Sequence, residues 1–367
     1  MYADIKAKIV LGLQYGDEGK GITTDFLTTQ SPNPIVVRFS GGQQVGHTVK
    51  LNGYTHVHSN FGSGTLRGVP TYYSEHTSIY PTTIAREFKV LDKNGISPKF
   101  VLHPLTLVTT PWDVIANRRD TKNLEHGSCG LGIGKTQKRN ETGFKLYAID
   151  LLDRDILIEK MESIRENYYG IDYENLKTNE YNEVLDFIEA LDEIDWVIED
   201  YCFLSNYDSM IFEGSQGILL DKDFGVFPNV THANTTSKNA HEILDKIGVG
   251  MDEREVYYVT RAYSTRHGSG NFKVAPIKLK NHETETNVFN EFQKEFKVAP
   301  LNYDFVNRGL RYDSIFSCMC TKSLVVTCMD QVEEFEFDFD EVDTEFNWFF
   351  QSWSQESKDF KFFNRMW

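Results

Sequence analysis

The hexapeptide Gly16-Asp17-Glu18-Gly19-Lys20-Gly21 interleaves three glycines with two carboxylates and a lysine. It follows the apolar run Ile9-Val10-Leu11 and precedes a stretch expected to be helical from near Ile22. Glycines there let backbone N–H groups close on phosphate oxygens, Lys20 adds a cation, and the helix N-terminus adds its dipole. The segment therefore reads as a phosphate cradle. A standard P-loop would need glycine at Gln14, so the spacing departs from that motif, and the added feature is a carboxylate, Asp17, inside the cradle. A second loop, Gly41-Gly42-Gln43-Gln44-Val45-Gly46-His47-Thr48, follows another apolar run, Ile35 to Phe39. It brings an imidazole, His47, next to glycines that permit close backbone approach to a ligand.

The elements that must hold these loops are short and β-branched: Ile9-Val10-Leu11, Ile35-Val36-Val37-Arg38, Val256-Tyr257-Tyr258-Val259 and Leu324-Val325-Val326-Thr327. Helical stretches are expected at 151–167 and 181–200. The mixture predicts an α/β fold with a largely parallel central sheet and helices and loops around it. With no repeat, low-complexity linker or sharp break in composition, residues 1–367 read as a single domain. The stretch Val332 to Asp340 alternates aromatic and carboxylate with period two and predicts a strand. Trp348, Phe349, Phe350 and Trp353 predict the docking face of a C-terminal helix, so that an acidic aromatic segment, 331–367, docks on the domain.

Composition bounds the partners. The net charge of −16 argues against a general binder of nucleic acid, whose affinity rests on exposed basic surface. Five cysteines, Cys129, Cys202, Cys318, Cys320 and Cys328, form no CxxC pair and fit reduced thiols in a cytoplasm. The N-terminal run is broken by lysines, and neither a signal peptide nor a membrane span is expected.

Four segments together resemble the adenylosuccinate synthetase family. The runs Gly12 to Gly21 and Gly41 to Thr48 are similar to its first two signatures. Phe212-Glu213-Gly214-Ser215-Gln216-Gly217, continuing through Pro228-Asn229-Val230-Thr231 to Asn234-Thr235-Thr236, is similar to a third, and Ala262 to Gly270 to a fourth. The resemblance implies the family's P-loop-related α/β fold, an intracellular homodimer, and a ligase that joins L-aspartate to C6 of a purine nucleoside monophosphate at the expense of a nucleoside triphosphate.

By the same resemblance, Asp17 is the general base for the purine N1 proton and a Mg2+ ligand, and the Gly46 carbonyl joins the metal. His47 stabilises charge at O6, and Lys20 meets the transferring phosphate. Gly16, Glu18, Gly19, Gly21 and Thr48 complete the phosphate site. Gln44, Gln216 and Thr231 hold the monophosphate, and Ser128, Cys129 and Arg266 are further nucleotide-binding candidates. Asp330, after Leu324 to Thr327, would accept hydrogen bonds from guanine N1 and N2 and so select GTP. Asp330 also fits a strand-end turn, and Cys328 stands where many bacterial members have lysine, so ATP stays open.

The departures lie in the substrate region. The family's Thr-Thr-Gly appears as Ser128-Cys129-Gly130, and the aspartate-binding loop is reduced to Val306-Asn307-Arg308-Gly309-Leu310-Arg311. Asn307, Arg308 and Arg311 are its candidate ligands for L-aspartate, an arginine fork being suited to a carboxylate. The arginine that members lend across a dimer has no clear match; the candidates are Lys138 and Arg139. The length places the chain near the archaeal and bacteriophage branch, in which one group uses dGMP and makes the precursor of 2-aminoadenine. Most phage members of that group carry serine at the cradle aspartate, whereas Asp17 is kept here. The expectation tilts to dGMP over IMP, with a regulator that binds nucleotide without ligation as the reading from another class.

Overall fold

The computed structural model describes residues 5–120, 130–280 and 295–364. The apolar runs become adjacent strands. β1 (Ala7–Gly12) lies between β9 (Ser209–Glu213) and β10 (Arg254–Arg261). Beyond β9 follow β2 (Pro34–Arg38), β5 (Thr71–Tyr73) and β7 (Phe100–Leu102). Beyond β10 follow β13 (Thr321–Thr327), β14 (Trp348–Ser352) and β15 (Phe360–Asn364). Every neighbouring pair in this sheet is parallel except β14 with β15, and outside it lie the short pairs β6 (Ser78–Ile79) with β8 (Leu107–Val108) and β11 (Tyr263–His267) with β12 (Phe296–Pro300).

Both faces of the sheet are covered, which is why its central strands are apolar at nearly every position. Ile9 and Leu11 join a core with Ala240, Leu244, Val306 and Leu310. Val10, one residue out of phase, joins Leu27, Ile211, Tyr257, Val325 and Phe350 on the other face. A further core gathers α2 (Pro81–Asp92), α3 (Pro111–Arg119) and α6 (Thr178–Glu193) around Ile84, Trp112 and Phe187. The remaining helices among the described residues are α1 (Lys20–Thr29), α4 (Ile133–Asn140), α5 (Arg154–Ser163), α7 (Lys238–Lys246) and α8 (Tyr303–Ser317). Helices expected at 151–167 and 181–200 are found shifted: α5 passes into a π turn, Ile164–Tyr168, and α6 starts and ends earlier.

Three local expectations are corrected. Trp348 to Ser352 is a strand, not a helix: Phe350 packs into the layer of Val325 and Tyr257, while Phe349 meets Phe337 and Phe339 on the other face. Consecutive aromatics suit such a two-faced position better than one helical stripe. The stretch 332–340 is irregular, with one short turn of 3-10 helix at Phe339–Glu341. Its alternation does sort the side chains, since Phe335, Phe337 and Phe339 pack on the core, but β14 already occupies the free edge of β13. Val306 to Arg311 is not a loop but part of α8, whose start is capped by the Asn302 side chain accepting from Phe305 N–H at 3.2 Å. No helix among the described residues is long and apolar enough to cross a membrane.

Candidate active site

Because β2, β9, β1, β10 and β13 run parallel, their carboxyl ends open at one rim, where ligands of open α/β sheets sit. Register keeps them level: Glu213 pairs with Val10 and with Arg38, and Arg261 pairs with Thr327. The cradle, the His47 loop, the Gln216 loop and Asp330 leave the sheet at this rim.

The cradle turns through Gly16, Asp17 and Gly19, all at positive φ, before α1 begins. No side chain caps α1, so its first N–H groups face the rim unclaimed by a cap. Within the turn, two N–H donors are committed internally: Gln14 N–H and Gly16 N–H donate to Glu18 at 2.8 and 3.2 Å. Burial raises the Glu18 carboxyl to about 8 despite Lys20 and these two donors. Burial also lowers Lys20, whose ammonium donates to the Gln216 carbonyl. Asp17 behaves differently. It is half-buried, and although desolvation would raise it, His267, Arg261 and Lys20 hold it below the ordinary carboxylate value. His267 Nδ1 stands 3.7 Å from its carboxylate, and the Arg261 guanidinium donates to its carbonyl.

His47 opens a hairpin of β3 (His47–Leu51) and β4 (Tyr54–His58), closed by Asn52-Gly53, both at positive φ as a tight hairpin turn requires. The hairpin lies against α1 because position 21 is glycine: a Cβ there would be 2.9 Å from His47 Cβ. His47 Nδ1 stands 2.9 Å from Glu213 Oε1. Glu213 is fully buried and also accepts from the hydroxyl and N–H of Ser63. Desolvation would raise Glu213, but His47, Arg38 and Ser63 bring it to about 2. Burial lowers His47, with Glu213 opposing. The result is an ionised carboxylate behind an imidazole whose Nε2 has no hydrogen-bond partner among the described residues.

Other buried polar atoms around these loops also have no hydrogen-bond partner among the described residues: Gln44 Oε1, Gln43 Oε1, Ser78 Oγ, Gln216 Oε1 and His267 Nε2. Buried polar groups are normally satisfied, so this concentration marks a place shaped for a polar ligand. On the α1 side, a cavity of about 350 Å³ is lined by Gly19, Thr48, Arg261, Thr327, Cys328 and Asp330. Asp330 accepts from the neighbouring Gln331 amide at 2.6 Å.

The structure thus gathers Gly16, Asp17, Glu18, Gly19, Lys20, Gly21, Gln44, Gly46, His47, Thr48, Gln216 and Asp330, on loops and on the first residues of α1 and β3, at one rim. Thr231 lies on the segment after it, its N–H donating to Leu220 at 2.8 Å. Arg266 is buried over the Tyr15 ring at 4.2 Å and donates to the carbonyls of Ser269 and Asn271. Ser128 and Cys129 lie outside the described residues. Asn307 and Arg311 sit on another face of α8, lining a second cavity with Ser314, Lys322 and Asp343. The Asn307 side chain there holds the backbone of Glu341 and Asp343. Arg308 lies over Phe305, which packs on Tyr15. Arg139 is corrected as a candidate for reaching a second subunit: it is fully buried, forked onto Asp113 at 2.9 Å. Sequence reasoning assigned no role to Glu213, Ser63, Arg38, Arg261 or His267. The available signal was an acid closing an apolar strand, Met210-Ile211-Phe212-Glu213.

A family model described as adenylosuccinate synthetase matches residues 9–299. The chain belongs to the adenylosuccinate synthetase family. It is 31% identical over 284 residues to the adenylosuccinate synthetases of Histophilus somni and Mannheimia succiniciproducens, a match covering 73% of the chain. It spans 64% of the length of these curated relatives. Among solved structures, the fold is similar to that of the fully ligated adenylosuccinate synthetase of Plasmodium falciparum, with TM-score 0.68 and 19% identity over 98% of this chain and 87% of that one. It is also similar to the succinoaminodeoxyadenylate synthetase of cyanophage S-2L, solved with dGMP and with dATP as energy donor. There the TM-score is 0.66 at 14% identity, covering 98% of this chain and 95% of that one.

Proposed function

We propose that the protein is an adenylosuccinate synthetase-type ligase that joins L-aspartate to C6 of a purine nucleoside monophosphate, with dGMP as the purine and GTP as the phosphoryl donor. The observation that carries the reading is the pairing, across one rim, of an ionised Asp17 with an imidazole backed by Glu213. An amide-like C6–O6 resists attack by an amine, so O6 must first become a leaving group. Asp17 takes the N1 proton, which makes O6 nucleophilic; the oxygen attacks the γ-phosphorus and the nucleoside diphosphate leaves. His47 Nε2 meets the charge at O6, and Glu213 stabilises the imidazole as it does so. The aspartate amine then displaces phosphate at C6.

A half-exposed, ionised carboxylate is a hard oxygen donor, so Asp17 fits Mg2+. With the Gly46 carbonyl it would hold the ion, which supplies charge neutralisation to the transferring phosphoryl group. Lys20 contributes there by exchanging the Gln216 carbonyl for phosphate oxygen. Asp330, in the cavity beside Thr327, would read the guanine edge of GTP. Of the arginines on α8, Arg308 lies on the Tyr15 side and is the candidate for an aspartate carboxylate.

The reading of dGMP follows from the resemblance to the bacteriophage branch, and the likeness in fold to the cyanophage enzyme, solved bound to dGMP, supports it. The names of the bacterial relatives favour a second reading, ordinary adenylosuccinate synthesis from IMP. The test is phosphate release by purified protein with magnesium, L-aspartate and GTP, comparing dGMP, GMP and IMP and identifying the product by mass. Turnover with dGMP alone is expected. Turnover with IMP replaces it by the second reading, and tight GTP binding without turnover on any purine means a nucleotide-binding regulator.

A further inference from the structure

On the hairpin that carries His47, three ionisable side chains that the ligase reading does not use converge. His56 and His58 are two residues apart on β4 and so share one face, their ring centroids 4.6 Å apart. Glu87 reaches them from α2. His56 Nε2 is 3.1 Å and His58 Nδ1 3.7 Å from Glu87 Oε1, and the three atoms lie within 4.8 Å of one another. All three residues are buried.

A buried ion pair alone leaves this arrangement unexplained. Glu87 is already supplied with donors: Ser59 N–H, Asn60 N–H at 2.7 Å and the Asn60 amide at 2.8 Å. His58, at 0% exposure, has neither ring nitrogen hydrogen-bonded among the described residues. An imidazole buried at that cost, with a nitrogen aimed at a carboxylate beyond hydrogen-bond range, is the disposition of a ligand. Tetrahedral zinc with bonds of about 2.0–2.1 Å sets its ligand atoms about 3.3 Å apart, and the two separations from Glu87 Oε1, 3.1 and 3.7 Å, bracket that spacing. The Ser59 and Asn60 donors orient the carboxylate as outer partners of metal ligands do.

We propose that His56 Nε2, His58 Nδ1 and Glu87 Oε1 bind one divalent transition-metal ion of the zinc class, which pins the hairpin to α2. Two imidazoles with one carboxylate suit such an ion and not magnesium. The site acts on position, not chemistry. His58 stands opposite His47 in the hairpin register, and the Asn60 carbonyl accepts from Arg38 at 3.1 Å. Closing the metal site therefore fixes the segment that leads to Ser63 and Glu213.

The test uses tag-free full-length protein, stripped with chelator, reloaded with zinc and passed through a desalting column. One zinc per chain is expected, with a raised melting temperature. X-ray absorption should show only nitrogen and oxygen neighbours, and cobalt in place of zinc should give no thiolate band from any of the five cysteines. His58→Ala and Glu87→Gln should each weaken zinc by more than about 100-fold, whereas Asp17→Asn should retain it. Zinc lost on desalting, sulfur ligation, or unchanged stoichiometry in both ligand variants overturns the proposal. If the variants do not fold, the absorption spectrum of the wild-type zinc protein still decides.

Discussion

Replacing Glu213 by Gln keeps the shape behind His47 and removes its charge. At 2.9 Å, a carboxylate and an imidazolium attract by about 6 kcal/mol at an effective dielectric constant of 20. An amide retains part of this through its dipole, and the nearby Arg38 charge, which opposes the imidazolium, is no longer balanced by the carboxylate. A loss of about 2–4 kcal/mol from the transition state remains, or about 30- to 1000-fold in rate. The assay is phosphate release at saturating substrates across pH, beside circular dichroism and a melting curve. The expected result is a fall in kcat with KM little changed, and a displacement of the His47-dependent limb to lower pH, because the anion that favours the imidazolium is gone. A purely structural Glu213 would lower the melting temperature and leave the pH profile in place. A rate within about threefold of wild type, with the limb unmoved, refutes the role given to the pair.

Two further substitutions probe the ends of the site. Asp330→Asn replaces an acceptor-only group with one that also donates, and should reduce the ratio of kcat/KM for GTP over ATP by about 10- to 100-fold, the worth of hydrogen bonds to a charged group; an unchanged ratio places base reading elsewhere. Gly309→Ala would gain about 1 kcal/mol of helix propensity, but its Cβ would fall 2.2 Å from the Leu13 carbonyl, so α8 must move off the segment feeding the cradle. The expected outcome is a lower melting temperature and a raised KM for nucleotide, and a higher melting temperature would show that the contact is not tight.

What was legible in the sequence is what local pattern controls. Ile9-Val10-Leu11 and Leu324 to Thr327 read as strands because residues buried on both faces leave a continuous apolar run. The turn at Gly16 to Gly21 read as a cradle because positive φ falls where glycine permits it, and at Asp17, one of the few other residue types that tolerate it. Placing these loops at a common rim needed only that the strands be parallel.

What was not legible depends on partners distant in sequence. Arg139 carries the same charge as any surface arginine, and only the arrival of Asp113 and the carbonyls of Val108 and Phe144 makes it a buried brace. Glu18 looked like one more phosphate-loop residue, yet it claims the N–H groups of Gln14 and Gly16 from within the turn. That occupation changes how the cradle must work. In the proposed function, an entering phosphate would meet a turn already organised around a carboxyl group, and because burial raises that group to about 8, Glu18 takes up a proton at a lower cost than an ordinary carboxylate. The turn can thus keep its shape without holding a full negative charge against the incoming anion. Polar residues fold the loop, and the loop's own burial lowers the cost of protonating the one that would repel an anion.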